Sequence, residues 1–169
     1  MLDNLLDRPE FREDRYWSRQ RYAANETIIT EGESGREVFL IRCGTVRVTG
    51  CAQLEQGGAI HPGFCDLGRG DVFGEVGLLP ELTRMATVMA VTDCELAVID
   101  GIRMLEFFDA HPAIGYRIIL AMSEQTASRL DQTNRQLLRV LAWGLRVHRL
   151  EDHLQAGHDT AGDAADLTR

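Results

Sequence analysis

Lysine is missing altogether: all 18 basic residues of the 169 are arginine. That excludes Schiff-base chemistry and the phosphate-binding lysine of a P-loop. Cysteine is sparse, and the four at 43, 51, 65 and 94 form neither a Cys-x-x-Cys pair nor a Cys/His metal spacing. Cys43 and Cys94 sit in or beside apolar strands, where a free thiol behaves as a small hydrophobe. Of the five histidines (61, 111, 148, 153 and 158), only His61 falls in a β-rich region. A histidine cluster for a metal is therefore lacking, and none is expected. Ser34, Ser123 and Ser128 have no histidine and acid at suggestive positions, so no catalytic residue is expected either. No stretch approaches the roughly twenty apolar residues that cross a membrane. Residues 1–8 have no apolar core of signal-peptide length, which predicts a cytoplasmic, reduced setting. The net charge of −8 speaks against a nucleic-acid partner, which needs a basic face.

What is present changes texture along the chain. Residues 1–20 are charge-rich, with Leu2, Leu5, Leu6, Phe11 and Tyr16-Trp17 as apolar points and Pro9 dividing them. They predict a lead-in of one or two short helices. From Glu26 to about Ile99 the chain is short β-rich pieces punctuated by glycine, and a helical part starts near Asp100-Gly101. Strands are predicted over 26–30, 37–42, 45–49, 62–67, 87–91 and 95–99. Residues 50–62, with Gly57-Gly58, read as a hairpin tip. In the strand over 45–49, Val46 and Val48 share one face, while Thr45, Arg47 and Thr49 share the other. Glycines 32, 35 and 44 are read as turn positions with φ > 0. Strands at this spacing predict a small antiparallel jelly roll.

The stretch with chemistry is 70–91, where Phe73-Gly74-Glu75 opens a one-turn helix and Arg84 follows nine residues after Glu75. A helix start presents N–H groups without intrahelical partners, which suits a phosphate. Arginine adds a planar, permanently charged fork, and a glutamate can accept from sugar hydroxyls. Phe73-Gly74-Glu75 and Arg84-Met85-Ala86-Thr87-Val88 resemble the phosphate-binding cassette of cyclic-nucleotide-binding domains, and the glycine-punctuated strands before it extend the match. The resemblance implies a cyclic-nucleotide-binding β-roll over 21–111. It implies that Glu75 takes the ribose 2′-hydroxyl and Arg84 the cyclic phosphate, with N–H groups of Gly74, Val76, Gly77, Met85 and Ala86 lining the pocket. Members that lose the ligand usually lose the acid or the arginine, and both are here. Some cyclic-GMP-preferring relatives carry a threonine directly after the arginine. Met85 offers no such hydroxyl, which favours cyclic AMP. Thr83 and Glu81 replace a common proline and glycine, and Glu81 adds an acid near the loop.

The region 112–155 is read as helical. Met104, Leu105 and Phe108 mark one face of a short helix ending at His111, and Pro112 suits the first turn of a longer one. Tyr116, Ile119, Ser123, Thr126, Leu130, Thr133, Leu137 and Val140 recur at three- and four-residue spacing, a seam with a polar middle. This helix, 112–143, is either laid on its own barrel or paired with a second copy as a homodimer. Gly144 is expected to interrupt it. In catabolite-activator-type relatives such a helix also donates hydroxyls to the adenine. By local resemblance those contacts fall on Thr133 and Asn134, although an ungapped count gives Arg129 and Leu130. Arginines 135, 139, 146 and 149 offer a basic face for an acidic effector, and 156–169 reads as a disordered tail.

The expectation is thus a mainly β fold with flanking helices, a jelly roll followed by a long C-terminal helix. Its function would be that of a stand-alone regulatory module whose ligand is a cyclic nucleotide and which has no other cofactor. The alternatives are a transcription-regulator-like chain lacking its DNA-binding domain, and a protein-interaction module with the fold but no ligand.

Overall fold

The structure is a computed structural model that describes residues 2–50, 52–53, 59–60, 63–79 and 83–147. Glu81, the hairpin tip at 54–58, Arg149 and the tail over 156–169 lie outside the described residues. The chain forms two compact units, residues 1–127 and 128–169.

In the first unit, a helical turn α1 (Asp3–Leu6) leads to strand β1 (Trp17–Tyr22). There follow β2 (Thr27–Ile29), β3 (Glu37–Cys43), β4 (Val46–Thr49), β5 (Ala52–Gln53), β6 (Ala59–Ile60), β7 (Gly63–Leu67) and β8 (Val72–Phe73). A 3₁₀ turn, Glu75–Leu78, separates β8 from β9 (Thr87–Ala90) and β10 (Cys94–Asp100), which runs into α2 (Gly101–Ala110). The last helix, α3 (Pro112–Val147), begins in the first unit and ends in the second. Two four-stranded antiparallel sheets form the roll, in the orders β1-β10-β3-β8 and β2-β9-β4-β7. The expected hairpin is present as the pairing of β5 with β6.

Strands β3 and β10 carry unbroken apolar runs because both of their faces are covered. Phe39, Ile41, Leu96 and Val98 face the core between the sheets, with Val46, Leu67, Phe73, Val88 and Ala90. The alternate residues Val38, Leu40, Ala97 and Ile99 face a second core, closed by Leu5, Phe11, Met104, Phe107, Phe108, Ile118 and Met122. The β4 alternation holds, with Val46 buried and Arg47 exposed in an ion pair with Asp66 across the β4–β7 pairing.

Three details differ from the sequence reading. The lead-in over 1–20 is one helical turn, and Trp17–Tyr22 is an edge strand paired with β10. Arg19 and Arg21, exposed like Gln20 between them, share the face that begins with buried Trp17, and so mask the apolar pattern. The α2 face that is buried is Met104, Phe107 and Phe108, while Leu105 is 38% exposed. Gly144 does not interrupt α3, which runs to Val147. A lone interior glycine costs a helix only about 1 kcal/mol relative to alanine.

Candidate phosphate site

The site is built where two distant segments are tied together. The turn before β3 receives a hydrogen bond from the Arg84 N–H to the Glu33 carbonyl at 2.9 Å, and the Gly32 N–H returns one to the Arg84 carbonyl at 2.8 Å. Thr87 Oγ1 adds a third tie by accepting from the Glu31 N–H at 3.0 Å. Gly32 has φ +85°, a left-handed conformation that glycine adopts without strain. Arg84 is thereby fixed at backbone level before its side chain makes any contact.

Its guanidinium then enters a socket walled by glycine. Arg84 is 7% exposed and is the buried charged residue among those described. Nη1 donates to the Glu37 carbonyl at 3.0 Å and to the Gly74 carbonyl at 2.9 Å, and Nη2 donates to Glu37 Oε2 at 2.9 Å. A Cβ added at Gly74 would meet Nη1 at 3.0 Å, and one at Gly77 would meet it at 2.9 Å. A Cβ at Gly35 would meet Nη2 at 2.8 Å and Nε at 3.0 Å. Side chains at any of these three positions would close the socket. The guanidinium carbon also stands 5.7 Å from the centre of the Phe39 ring, which stacks on Phe73 at 4.9 Å. Phe73 thus anchors the cassette to β3 at the pairing Phe39↔Phe73.

Gly74 is the left-handed residue, φ +80°, that caps the 3₁₀ turn. Gly77 is buried, and its N–H closes that turn on the Gly74 carbonyl at 3.0 Å. Glu75 and Val76 are half-buried. Glu75 Oε1 accepts from Thr126 Oγ1 of α3 at 3.3 Å, and that hydroxyl also reaches the Met122 carbonyl at 3.0 Å. Met85 is 70% exposed and Ala86 half-buried.

A cleft of about 270 Å³ lies over the arginine, lined by Glu33, Ser34, Gly35, Glu37, Phe39 and Arg84 among others. Tyr22 also borders it, and its phenol is pushed above the ordinary range by burial and then by Glu26 and Glu37. The structure therefore brings Gly74, Gly77 and Arg84 together around one charge. Glu75 does not line this cleft; it faces α3. Thr133 and Asn134 are exposed on the part of α3 in the second unit, where the Thr133 hydroxyl donates back to the Arg129 carbonyl at 2.9 Å.

Sequence reasoning missed Gly35, Glu37 and Phe39. Gly35 is read from sequence as a φ > 0 residue, yet only glycines 32, 44, 70 and 74 have positive φ among the described glycines. Position 35 is small because Arg84 lies against it. Its place in a Glu-Gly-x-x-Gly turn opening a strand was the available signal.

Comparison with known proteins gives the family and the fold. The cyclic nucleotide-binding domain family matches residues 19–111. A cAMP-activated global transcriptional regulator CRP of Haemophilus influenzae is 31% identical over 118 residues, covering 69% of this chain and 49% of the relative. A cAMP-dependent protein kinase regulatory subunit of Yarrowia lipolytica is 39% identical over 80 residues, 46% of this chain and 20% of the relative. The chain thus spans about half or less of the length of these curated relatives. Among solved structures, the c-di-GMP responsive global regulator CLP of Xanthomonas campestris superimposes with TM-score 0.66 at 25% identity, covering 75% of this chain and 60% of that one. A cyclic nucleotide-binding domain from Methylobacillus flagellatus gives TM-score 0.65 at 19% identity, covering 73% and 67%, and supports the fold alone. Socket, cassette and roll coincide with the matched region, and the chain belongs to the cyclic nucleotide-binding domain family.

Proposed function

We propose that this chain is a regulatory module that binds a cyclic nucleotide, cyclic AMP in preference to cyclic GMP, and does no chemistry on it. The observation that carries the reading is the buried Arg84 guanidinium, held by two carbonyls inside a three-glycine socket and bordering an open cleft. A fixed cation with hydrogens still to give is what a phosphate requires. Arg84 lines the cleft, Glu75 reaches the ligand by leaving Thr126, and the other roles follow the family resemblance. Arg84 takes the phosphate, Glu75 accepts from the sugar hydroxyls, and the backbone of Gly74, Val76, Gly77, Met85 and Ala86 borders it. Met85 presents a thioether where a hydroxyl would favour guanine. The base contacts expected of Thr133 and Asn134 rest on the sequence resemblance alone.

Binding reaches the helices by two short routes. Glu75 contacts Thr126 of α3, so sugar hydroxyls that engage Glu75 draw it from that partner. Leu78, which ends the 3₁₀ turn, lies 2.6 Å from where a Gly101 Cβ would stand at the start of α2. The ligand shifts the helices only as far as it prefers one arrangement of these contacts. The receiver of that shift is a second copy paired through α3, or another protein.

A second reading, a protein-interaction module without ligand, draws on one observation: in this structure Arg84 is bonded to the protein itself. Calorimetry with cyclic AMP, cyclic GMP and 5′-AMP on the wild type and Arg84→Ala separates the two. The expected result is binding of cyclic AMP by the wild type. Arg84→Ala, which leaves the phosphate charge uncompensated, should weaken it by about 3–5 kcal/mol. A folded wild type that binds no cyclic nucleotide favours the second reading.

A further inference from the structure

Helix α3 grips the cassette on both sides of β8. Ile118 and Met122 are buried in the helical core together with Val72 of β8. One turn further along, Gln125 Nε2 donates to the Gly70 carbonyl, before β8, at 3.4 Å. Thr126 Oγ1 donates to Glu75 Oε1, after β8, at 3.3 Å. The same hydroxyl reaches back to the Met122 carbonyl at 3.0 Å, a bond to the preceding turn that fixes the threonine rotamer. Thr126 is thus aimed by its own helix. The Glu75 carboxylate is held on the α3 side, while the cleft beside Arg84 is lined by Glu33, Ser34, Gly35 and Glu37 and not by Glu75. A 3′,5′-cyclic nucleotide has one free sugar hydroxyl, the 2′. With the phosphate at Arg84, that hydroxyl gains Glu75 as an acceptor only when the carboxylate turns from Thr126.

Resting on the reading that a cyclic nucleotide puts its phosphate on Arg84 and its sugar on Glu75, we infer that Thr126 is an autoinhibitory latch on the sugar-binding carboxylate. The ribose 2′-hydroxyl displaces it, one hydroxyl donor replacing another, so the latch subtracts about one hydrogen bond from the gain of binding. The released Thr126 hydroxyl keeps the Met122 carbonyl as its acceptor and is not left unpaired. Ile118, Met122 and Gln125 still hold the helix, so the release is confined to one carboxylate and one turn of α3. Coupling is reciprocal: the α3 contact opposes the ribose, and the ribose frees α3 from Glu75. A nucleotide without the 2′-hydroxyl leaves the latch closed and does not feel it.

The test is titration calorimetry on the full chain with cyclic AMP and 2′-deoxy cyclic AMP, for the wild type, Thr126→Val and Thr126→Ser. Circular dichroism checks that each is folded. Valine keeps the branched shape without the hydroxyl, and serine keeps the hydroxyl. Thr126→Val is expected to tighten cyclic AMP about fivefold and to leave 2′-deoxy cyclic AMP unchanged, with Thr126→Ser close to the wild type. Thr126→Ala carries the same expectation and takes the place of the valine variant if that one loses its fold. Binding of cyclic AMP by Thr126→Val where the wild type shows none supports the inference equally. If Thr126 instead supports Glu75 for the ligand, Thr126→Val loses affinity for cyclic AMP, which overturns the latch and leaves nucleotide binding standing. An equal change for both nucleotides, or no change for either, overturns it in the same way. Absence of binding in every variant overturns both the latch and the proposed function.

Discussion

A methyl group at position 35 would land 2.8 Å from both Arg84 Nη2 and Glu37 Oε2, whereas one at position 32 would meet nothing within 4 Å. The two glycines of one turn thus answer to different forces. Gly32 is glycine for its backbone, with φ +85°. Gly35 is glycine for the space in front of a guanidinium that three hydrogen bonds keep from moving aside. Gly32→Ala should therefore cost about 1–2 kcal/mol of stability, the strain of a left-handed alanine, and leave ligand affinity unchanged. Gly35→Ala should cost a similar 1–3 kcal/mol through overpacking, and should also weaken cyclic AMP at least tenfold, because the added carbon crowds the Arg84 guanidinium out of its place. Urea denaturation and calorimetry on the two variants read the contrast. Equal affinities in both would remove Gly35 from the site.

At the scale of elements, the junction of roll and helices is set at Asp100. Its Oδ1 accepts from the N–H groups of Ile102 at 3.0 Å and Arg103 at 3.1 Å, which caps α2. Asp100→Ala should cost about 1 kcal/mol and Asp100→Asn much less, measured as shifts of the urea midpoint. If the alanine variant is as stable as wild type, packing alone holds the helix. Sequence made this junction legible because the signals are local: Asp before Gly101, an apolar stripe, then His111-Pro112. The central strands were legible for the same reason, since β3 and β10 read as apolar runs between glycines and turns. Strand β1 was not, because Trp-Ser-Arg-Gln-Arg-Tyr becomes a strand only through its pairing with β10, more than seventy residues away. Phe73, Gly74, Glu75 and Arg84 were legible through a local motif. What sequence could not supply is that Glu37, on another strand, meets Arg84 while Glu75 turns toward α3. Those contacts exist only after the chain closes.

For the whole molecule, the question is what covers α3. In the first unit, Ile118 and Met122 are buried in the helical core, while Tyr116 is 70% and Ile119 42% exposed. In the second unit, Leu130, Leu137, Val140 and Trp143 are each more than half exposed. Every position of the seam read from sequence is thus available to solvent in the single chain, including the hydroxyls of Ser123, Thr126 and Thr133. Exposed apolar side chains in this number mark an interaction surface. The alternating three- and four-residue spacing is the one two helices need to interlock. Light scattering at about 100 μM should therefore give twice the mass of the chain. Leu137→Glu with Val140→Glu should return it to a monomer, because each buried carboxylate opposes association. The variant should retain its circular dichroism and its affinity for cyclic AMP, since both residues lie outside the Arg84 socket. A wild type that is monomeric with and without cyclic AMP at that concentration would exclude the second copy and leave another protein as the receiver of the signal.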